Sequence, residues 1–190
     1  MELTERYDRA LQLANHLHRQ QRRKGTGTPY VGHLLAVSSL VLECGGDEDA
    51  AIAALLHDAV EDQGGPATLA LISDEFGPRV AELVAACSDS DTIPKPPWRE
   101  RKEAYLAHLE HADDATRLIS CADKVHNSRC IVRDLLELGE ELWPRFKGGG
   151  RDGSLWYYRS MADIFLRLGP HRLAVELDEL VTRMERLAEG

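Results

Sequence analysis

Apolar residues recur at helical spacing along nearly all of this 190-residue chain, and Gly or Pro separates one periodic segment from the next. The alternating patterns typical of strands are nearly absent. A chain of this length suits one domain with a substantial core. The pattern therefore predicts an all-α fold, with residues 1–190 forming a single domain built as a bundle of about eight to ten helices.

The composition limits the classes of binding partner and the cellular compartment that we expect for this protein. The formal net charge of −9 disfavours non-specific binding to nucleic acid. No apolar run approaches the roughly 18 residues that span a bilayer, and the N-terminus does not resemble a signal peptide. The four cysteines form no Cys-x-x-Cys pair, which favours reduced thiols. We therefore expect a cytoplasmic protein without nucleic-acid or membrane partners; nothing in the sequence favours one oligomeric state.

Residues 53–62 end an apolar helical segment with a group of ionisable side chains. His57 and Asp58 are adjacent, and Glu61 and Asp62 follow one turn later. Residues three and four apart share one face of a helix, which places Glu61 over His57 and Asp58. Polar groups at the end of an apolar helix cost free energy unless they are paired or bind a metal. The alternative interpretation is a solvated C-terminal turn.

Two further polar residues interrupt apolar helix faces. His33 opens the inner face of a helix predicted from about residue 32 to 44, and Asp123 lies in the apolar stripe of a later helix. With His57 and Asp58 they make two imidazoles and two carboxylates, a set that suits a divalent ion such as Mn, Fe, Zn or Mg. Because no thiolate is included, the set favours a hydrolytic site over a structural one. A single histidine of this kind is more often a core or surface residue.

Two predicted loops carry basic residues. Arg23 and Lys24 begin a Gly- and Thr-rich segment shortly before His33. Lys95 lies in the longest predicted loop, 88–98, and loops of this length are often functional. Basic residues in loops are also common as solvated surface, so by themselves these three allow both interpretations.

Other residues have a structural interpretation beside or instead of a functional one. Asn127 is able to cap or end its helix, and Tyr158 suits a helix core as well as a ligand site. Residues 144–153, which include the glycines at 148–150, are predicted to form a flexible connection within one helical domain. Five more histidines at polar helix positions are interpreted as surface residues: His16, His18, His108, His111 and His171.

The pattern of His33, the His57–Asp58 pair and Asp123 resembles the HD superfamily of metal-dependent phosphohydrolases. The surrounding motifs are more specifically similar to the hydrolase domain of the RelA/SpoT alarmone enzymes and their small stand-alone relatives. The similarity extends over about residues 5 to 168. The matching segments are 22–24, 27–30 with His33, 54–62, 76–77, 92–95 and 122–127.

This resemblance implies an HD-domain helical bundle and a Mn²⁺-dependent hydrolase that removes the 3′-pyrophosphate from guanosine tetra- or pentaphosphate, a small-molecule nucleotide. It implies that the metal ligands are His33, His57, Asp58 and Asp123. It also implies that Glu61 and Asp62 position water and handle protons. The implied substrate contacts are Arg23 and Lys24 at the base, Lys95 at a phosphate, and Asn127 and Tyr158 at the nucleoside.

Three departures from the family pattern concern the nucleoside side of the implied site: His126, residues 128–130 and the insertion at 147–156. They leave room for an alternative, an HD nucleotidase or phosphodiesterase that acts on another nucleotide such as an adenine alarmone. A non-enzymatic binding module is a third hypothesis. The intact ligand set argues against it, because a pure binder has no need of four metal ligands.

Overall fold

The computed structural model describes residues 2–88 and 94–189, and within these ranges the chain folds into α-helices with no strand. The all-α prediction is therefore confirmed. The chain divides into two compact units, residues 1–95 and 96–190. The assignment of the whole chain to a single domain stays a prediction.

The first unit contains six α-helices in its described part. Their bounds are α1, Glu5–Leu17; α2, Val31–Glu43; α3, Glu48–Leu56; α4, Ala59–Asp62; α5, Pro66–Phe76; and α6, Pro78–Cys87. Side-chain caps begin two of them: Thr4 accepts a hydrogen bond from the backbone N–H of Arg6, and Asp47 accepts one from the N–H of Ala50.

Helix α3 is the centre of the first unit. Each residue from Ala50 to Leu56 is buried, and the helix packs against α1, α2 and α6. A helix that is apolar on all sides belongs in the interior of a protein. Burial of α3 therefore carries the His57–Asp58 pair at its end into the middle of the unit.

The helix predicted to run through residues 53–62 is not continuous. It ends at Leu56, His57 and Asp58 form a turn, and the short α4 follows. Asp58 has φ −94° and ψ −3°, in the sparsely populated bridge region where many active-site residues lie. The backbone N–H of Asp62 still donates to the carbonyl of Asp58 at 3.0 Å, so the turn keeps Asp62 one turn beyond Asp58.

The second unit contains four α-helices and one 3-10 helix in its described part. They are α7, Trp98–His111; α8, Asp114–Leu138; the 3-10 helix Gly139–Arg145; α9, Gly150–Leu168; and α10, His171–Ala188. Helix α10 packs against both α8 and α9. No helix in the described ranges of the chain combines the length and the apolar character needed to cross a membrane.

The connection predicted over residues 144–153 is wrong in its bounds, because the 3-10 helix extends through Arg145 and α9 already begins at Gly150. Gly148 and Gly149 lie against the indole of Trp98, where a Cβ atom on Gly149 would come 2.7 Å from the ring. Glycine is needed here for close approach rather than for mobility.

Candidate metal centre

The first unit brings three of the predicted ligands together. Candidate ligand atoms of His33, His57 and Asp58 all lie within 4.8 Å of one another. Asp58 Oδ2 is 3.1 Å from Nε2 of His57 and 3.6 Å from Nε2 of His33. Both imidazoles are buried, 2% and 4% exposed, and Asp58 is half-buried. The first turn of α2 supplies His33, and the end of α3 supplies the other two.

The hydrogen bond of His57 determines which ring nitrogen can bind a cation. Its Nδ1 lies 2.8 Å from the backbone carbonyl oxygen of Ala54. A carbonyl oxygen only accepts, so Nδ1 donates and carries the proton. In the neutral form of the ring the lone pair is then on Nε2, the atom beside Asp58. A metal-binding histidine is commonly oriented by such a bond from its other nitrogen, so this arrangement fits a divalent cation.

Tyr30 lies against the cluster although it was assigned no function from the sequence. Its hydroxyl donates to Oδ2 of Asp58 at 2.6 Å. Its ring meets His33 edge-on, with 5.4 Å between ring centroids. On the loop before it, the Arg23 guanidinium lies 5.7 Å from the centroid of the Tyr30 ring. Arg23 therefore lies over the ring of Tyr30, the residue whose hydroxyl bonds Asp58. The side chain of Lys24 is exposed.

The interpretation of His18 as a surface residue is wrong. His18 is 1% exposed and stacks on Tyr30 with 5.4 Å between ring centroids. Because α1 ends at Leu17, His18 lies just beyond the helix, and helical periodicity does not describe its exposure. The other four histidines interpreted as surface residues are exposed: His16, His108, His111 and His171.

Asp62 is held by a network of side-chain amides. Gln21 donates from Nε2 to Oδ2 of Asp62 at 2.7 Å. The amide oxygen of Gln21, Oε1, accepts from Nε2 of Gln63 at 2.5 Å and from Nδ1 of His18 at 2.7 Å. A carboxylate only accepts, so the orientation of the Gln21 amide is determined by its partners. None of this network except Asp62 was predicted.

Glu61 forms an ion pair with Lys95. Lys95 Nζ lies 2.7 Å from Oε1 of Glu61, and the two side chains are 41% and 30% exposed. The structure thus pairs a residue predicted to bind phosphate with one predicted to handle protons. Two other residues of the Lys95 motif, Thr92 and Ile93, lie outside the described residues.

The second unit holds the remaining predicted residues, and their roles stay predictions. In α8, Asn127 donates to Oδ1 of Asp123 at 2.5 Å, while Lys124 donates to Oδ2. Burial disfavours the charged Lys124, but the Asp123 carboxylate outweighs this and the pKa of Lys124 lies well above its ordinary value. Asp123 is therefore a buried carboxylate group whose two oxygens each contact a neighbour on α8. Tyr158 is half-buried in α9, and its ring packs edge-on against Tyr157.

The helical fold and the cluster of two histidines and an aspartate define the class of this protein. Residues 10–149 match the family model described as HD domain, so the chain belongs to the HD domain family. The resemblance drawn from the motifs is confirmed at this level.

Similar proteins place the chain more narrowly within the family. Mouse MESH1, named guanosine-3′,5′-bis(diphosphate) 3′-pyrophosphohydrolase, is 39% identical over 127 residues, which cover 65% of this chain and 68% of MESH1. Human MESH1 is 37% identical over 137 residues, covering 70% and 72%. The bifunctional (p)ppGpp synthase/hydrolase SpoT of Escherichia coli is 33% identical over 181 residues, covering 92% of this chain and 23% of SpoT.

A solved structure supports the same relationship. It is described as a metazoan ortholog of SpoT that hydrolyses ppGpp, and it matches with a TM-score of 0.76 at 30% identity, covering 96% of this chain and 97% of that one. The relatives are hydrolases with an HD domain, and the prediction that this chain is an enzyme of the HD phosphohydrolase class is confirmed.

Proposed function

We propose that this protein hydrolyses the 3′-pyrophosphate of (p)ppGpp, with Mn²⁺ as the working ion, in the cytoplasm. The products are pyrophosphate and GDP or GTP. The observation that carries the proposal is the convergence of His33, His57 and Asp58, whose candidate ligand atoms lie within 4.8 Å of one another with both imidazoles buried. The names of the MESH1 and SpoT relatives supply the substrate class.

The proposed metal ligands are His33, His57 and Asp58 from the first unit, with Asp123 as the fourth. A set of imidazole and carboxylate donors without thiolate suits Mn²⁺ among other divalent ions. When bound, such a cation supplies Lewis-acid polarisation of a phosphoryl oxygen and makes water a stronger nucleophile at neutral pH.

The chemistry requires one new P–O bond and the loss of another. The oxygen of water bonds to the phosphorus attached to the 3′ oxygen, and the bond between that phosphorus and the 3′ oxygen breaks. The water loses a proton, and the departing 3′ oxygen gains one. We assign these transfers to Glu61 and Asp62, whose carboxylates lie one turn beyond Asp58 and are able to accept and return a proton.

We assign the cationic side chains near the site to substrate binding, with Lys95 at a phosphate and Arg23 and Lys24 at the base. The chain as a whole is acidic, so attraction of an anionic substrate depends on local positive charge. Lys95 lies beside Glu61, and Arg23 lies beside Tyr30; we assign both to the substrate, together with Lys24. Asn127 and Tyr158 are proposed to contact the nucleoside.

The direct test is a nucleotide panel with the purified protein and Mn²⁺, with products resolved by chromatography. We expect release of pyrophosphate from ppGpp and recovery of GDP. The adenine counterpart of ppGpp tests the alternative substrate, and GDP tests for general phosphatase activity. Absence of pyrophosphate release from ppGpp, or release of orthophosphate instead, would contradict the proposal.

A further inference from the structure

We propose that Tyr30 is a positioning residue that orients the Asp58 carboxylate for metal binding. The inference rests on the proposed metal site. It begins with one contact: the Tyr30 hydroxyl donates to Oδ2 of Asp58 at 2.6 Å. That oxygen is the one that lies 3.1 Å from His57 Nε2 and 3.6 Å from His33 Nε2. Tyr30 therefore acts on the atom at the centre of the cluster.

The ring and backbone of Tyr30 are both held in place. The ring stacks on the buried His18 and meets His33 edge-on. The Tyr30 N–H donates to the carbonyl of Gln21 at 3.1 Å, and its carbonyl accepts from the N–H of His33 at 2.9 Å. A phenol fixed in this way loses little further freedom when it bonds to Asp58, which makes the contact preorganised.

Asp58 has particular need of such a partner. Its backbone lies in the bridge region, between the end of α3 and the start of α4, so its side chain is not oriented by a regular helix. A hydrogen bond from a neutral hydroxyl to a carboxylate is charge-assisted. It selects one direction for the carboxylate, whose two oxygens together offer about four lone-pair positions.

Experience with other metal sites gives the expected loss of metal affinity when the Tyr30 hydroxyl is removed. Ligating carboxylates are usually hydrogen-bonded by neighbouring groups, and loss of such a group typically weakens metal affinity or activity by about 10–100-fold. Tyr30→Phe removes the hydroxyl and keeps the ring that packs on His18 and His33. A purely structural role for Tyr30 predicts that this variant keeps its metal affinity.

The experiment measures the Mn²⁺ dissociation constant of the full chain by electron paramagnetic resonance of free Mn²⁺. Tyr7→Phe is the matched control, because it also removes a phenol hydroxyl in the same unit, one that bonds Ser38 at 2.8 Å. We expect Tyr30→Phe to raise the dissociation constant by about 10–100-fold and Tyr7→Phe to leave it unchanged. Melting temperatures of the metal-free proteins check that both variants fold.

Enzyme activity provides a second measurement, which distinguishes a role in positioning the Asp58 carboxylate from general damage to the active protein. If Tyr30 acts through Asp58 and the metal, saturating Mn²⁺ restores the kcat of Tyr30→Phe, and KM for ppGpp stays at the wild-type value. An unchanged Mn²⁺ dissociation constant in Tyr30→Phe, or a kcat that excess Mn²⁺ does not restore, overturns the inference while the proposed function stands. Failure of the wild-type protein to bind Mn²⁺ overturns both.

Discussion

Lys95 and Glu61 form an ion pair, with 2.7 Å between Nζ and Oε1. Because both side chains are partly exposed, a pair of this kind contributes at most about 1 kcal/mol to stability. A polyphosphate carries more negative charge than one carboxylate. It can therefore replace Glu61 as the partner of Lys95 at a small cost in free energy. In the proposed reaction, substrate binding would then release Glu61 from its partner.

Replacement of Lys95 by Met should raise KM for ppGpp more than it lowers kcat. The charge of Lys95 attracts the phosphates in the ground state and the transition state alike, and loss of uniform binding appears in KM. Steady-state kinetics at two salt concentrations measure the effect, and added salt should weaken wild-type binding more than that of the variant. Arg167→Met is the control, because Arg167 forms a comparably exposed pair with Glu110 in the second unit. An unchanged KM with a large loss of kcat would contradict a binding role.

Glu61→Gln should keep the metal and the nucleotide but lose at least about 100-fold in kcat, the lower range for general acid–base catalysis. The amide has nearly the shape of the carboxylate and cannot exchange a proton in the same way. Metal content and turnover are measured on one preparation, with the exposed Glu43→Gln as the control. Full metal with near-wild-type turnover would remove Glu61 from the mechanism.

The sequence predicted the parts of the site that depend on local pattern. His33, His57 and Asp58 are polar positions at the ends of apolar helices, and burial of α3 is enough to bring two of them inside. The partners that hold the site are separated widely in sequence: Tyr30 from Asp58 by 28 positions, and Gln21 from Asp62 by 41. Helical periodicity relates residues three or four positions apart, so it does not predict contacts between residues this far apart in sequence.

The same limitation explains two local errors. The run from Leu55 to Val60 has the pattern of a continuous helix, yet a turn at His57 and Asp58 separates α3 from α4. At this turn the side chain of Asp58 meets Tyr30 and the two imidazoles. His18 begins a run of polar residues that extends to Lys24, yet its ring is covered by Tyr30 from the next loop. In both cases tertiary contacts override the local pattern.

His57→Ala and Asp123→Ala should both lose metal binding and some stability, for different reasons. The first removes a ligand, the hydrogen bond to Ala54 and the packing of a buried ring, and truncation of a large buried side chain costs about 2–5 kcal/mol. The second leaves the mostly buried Lys124 ammonium without its carboxylate, and breaking a buried pair costs about 3 kcal/mol or more. Metal analysis and urea unfolding measure the two effects. Full metal content in either variant would contradict that residue's assignment as a ligand.

The acid stability of the protein should depend on Glu48. Its carboxylate accepts from the backbone N–H of Thr4 at 2.6 Å and from Arg6 at 3.1 Å, and these contacts hold the pKa of Glu48 below its ordinary 4.5. Its contribution is therefore fully present above the unfolded-state pKa and is lost as pH falls through the folded-state pKa. Urea unfolding at a series of acidic pH values should show a shallower decline for Glu48→Gln than for wild type. The exposed Glu103→Gln serves as control, and identical slopes for Glu48→Gln and wild type would contradict the prediction.

Gln21→Met should lower kcat more than it changes KM. The substitution keeps the length of the side chain but removes the donor that holds Asp62 at 2.7 Å and the acceptor for His18 and Gln63, and a misplaced catalytic group can cost up to about 100-fold in rate. A double-mutant cycle with Asp62→Asn measures whether Gln21 acts through that carboxylate. If it does, adding Gln21→Met to Asp62→Asn causes little further loss of kcat. Independent, additive losses in the double variant would show that Gln21 affects turnover by another route.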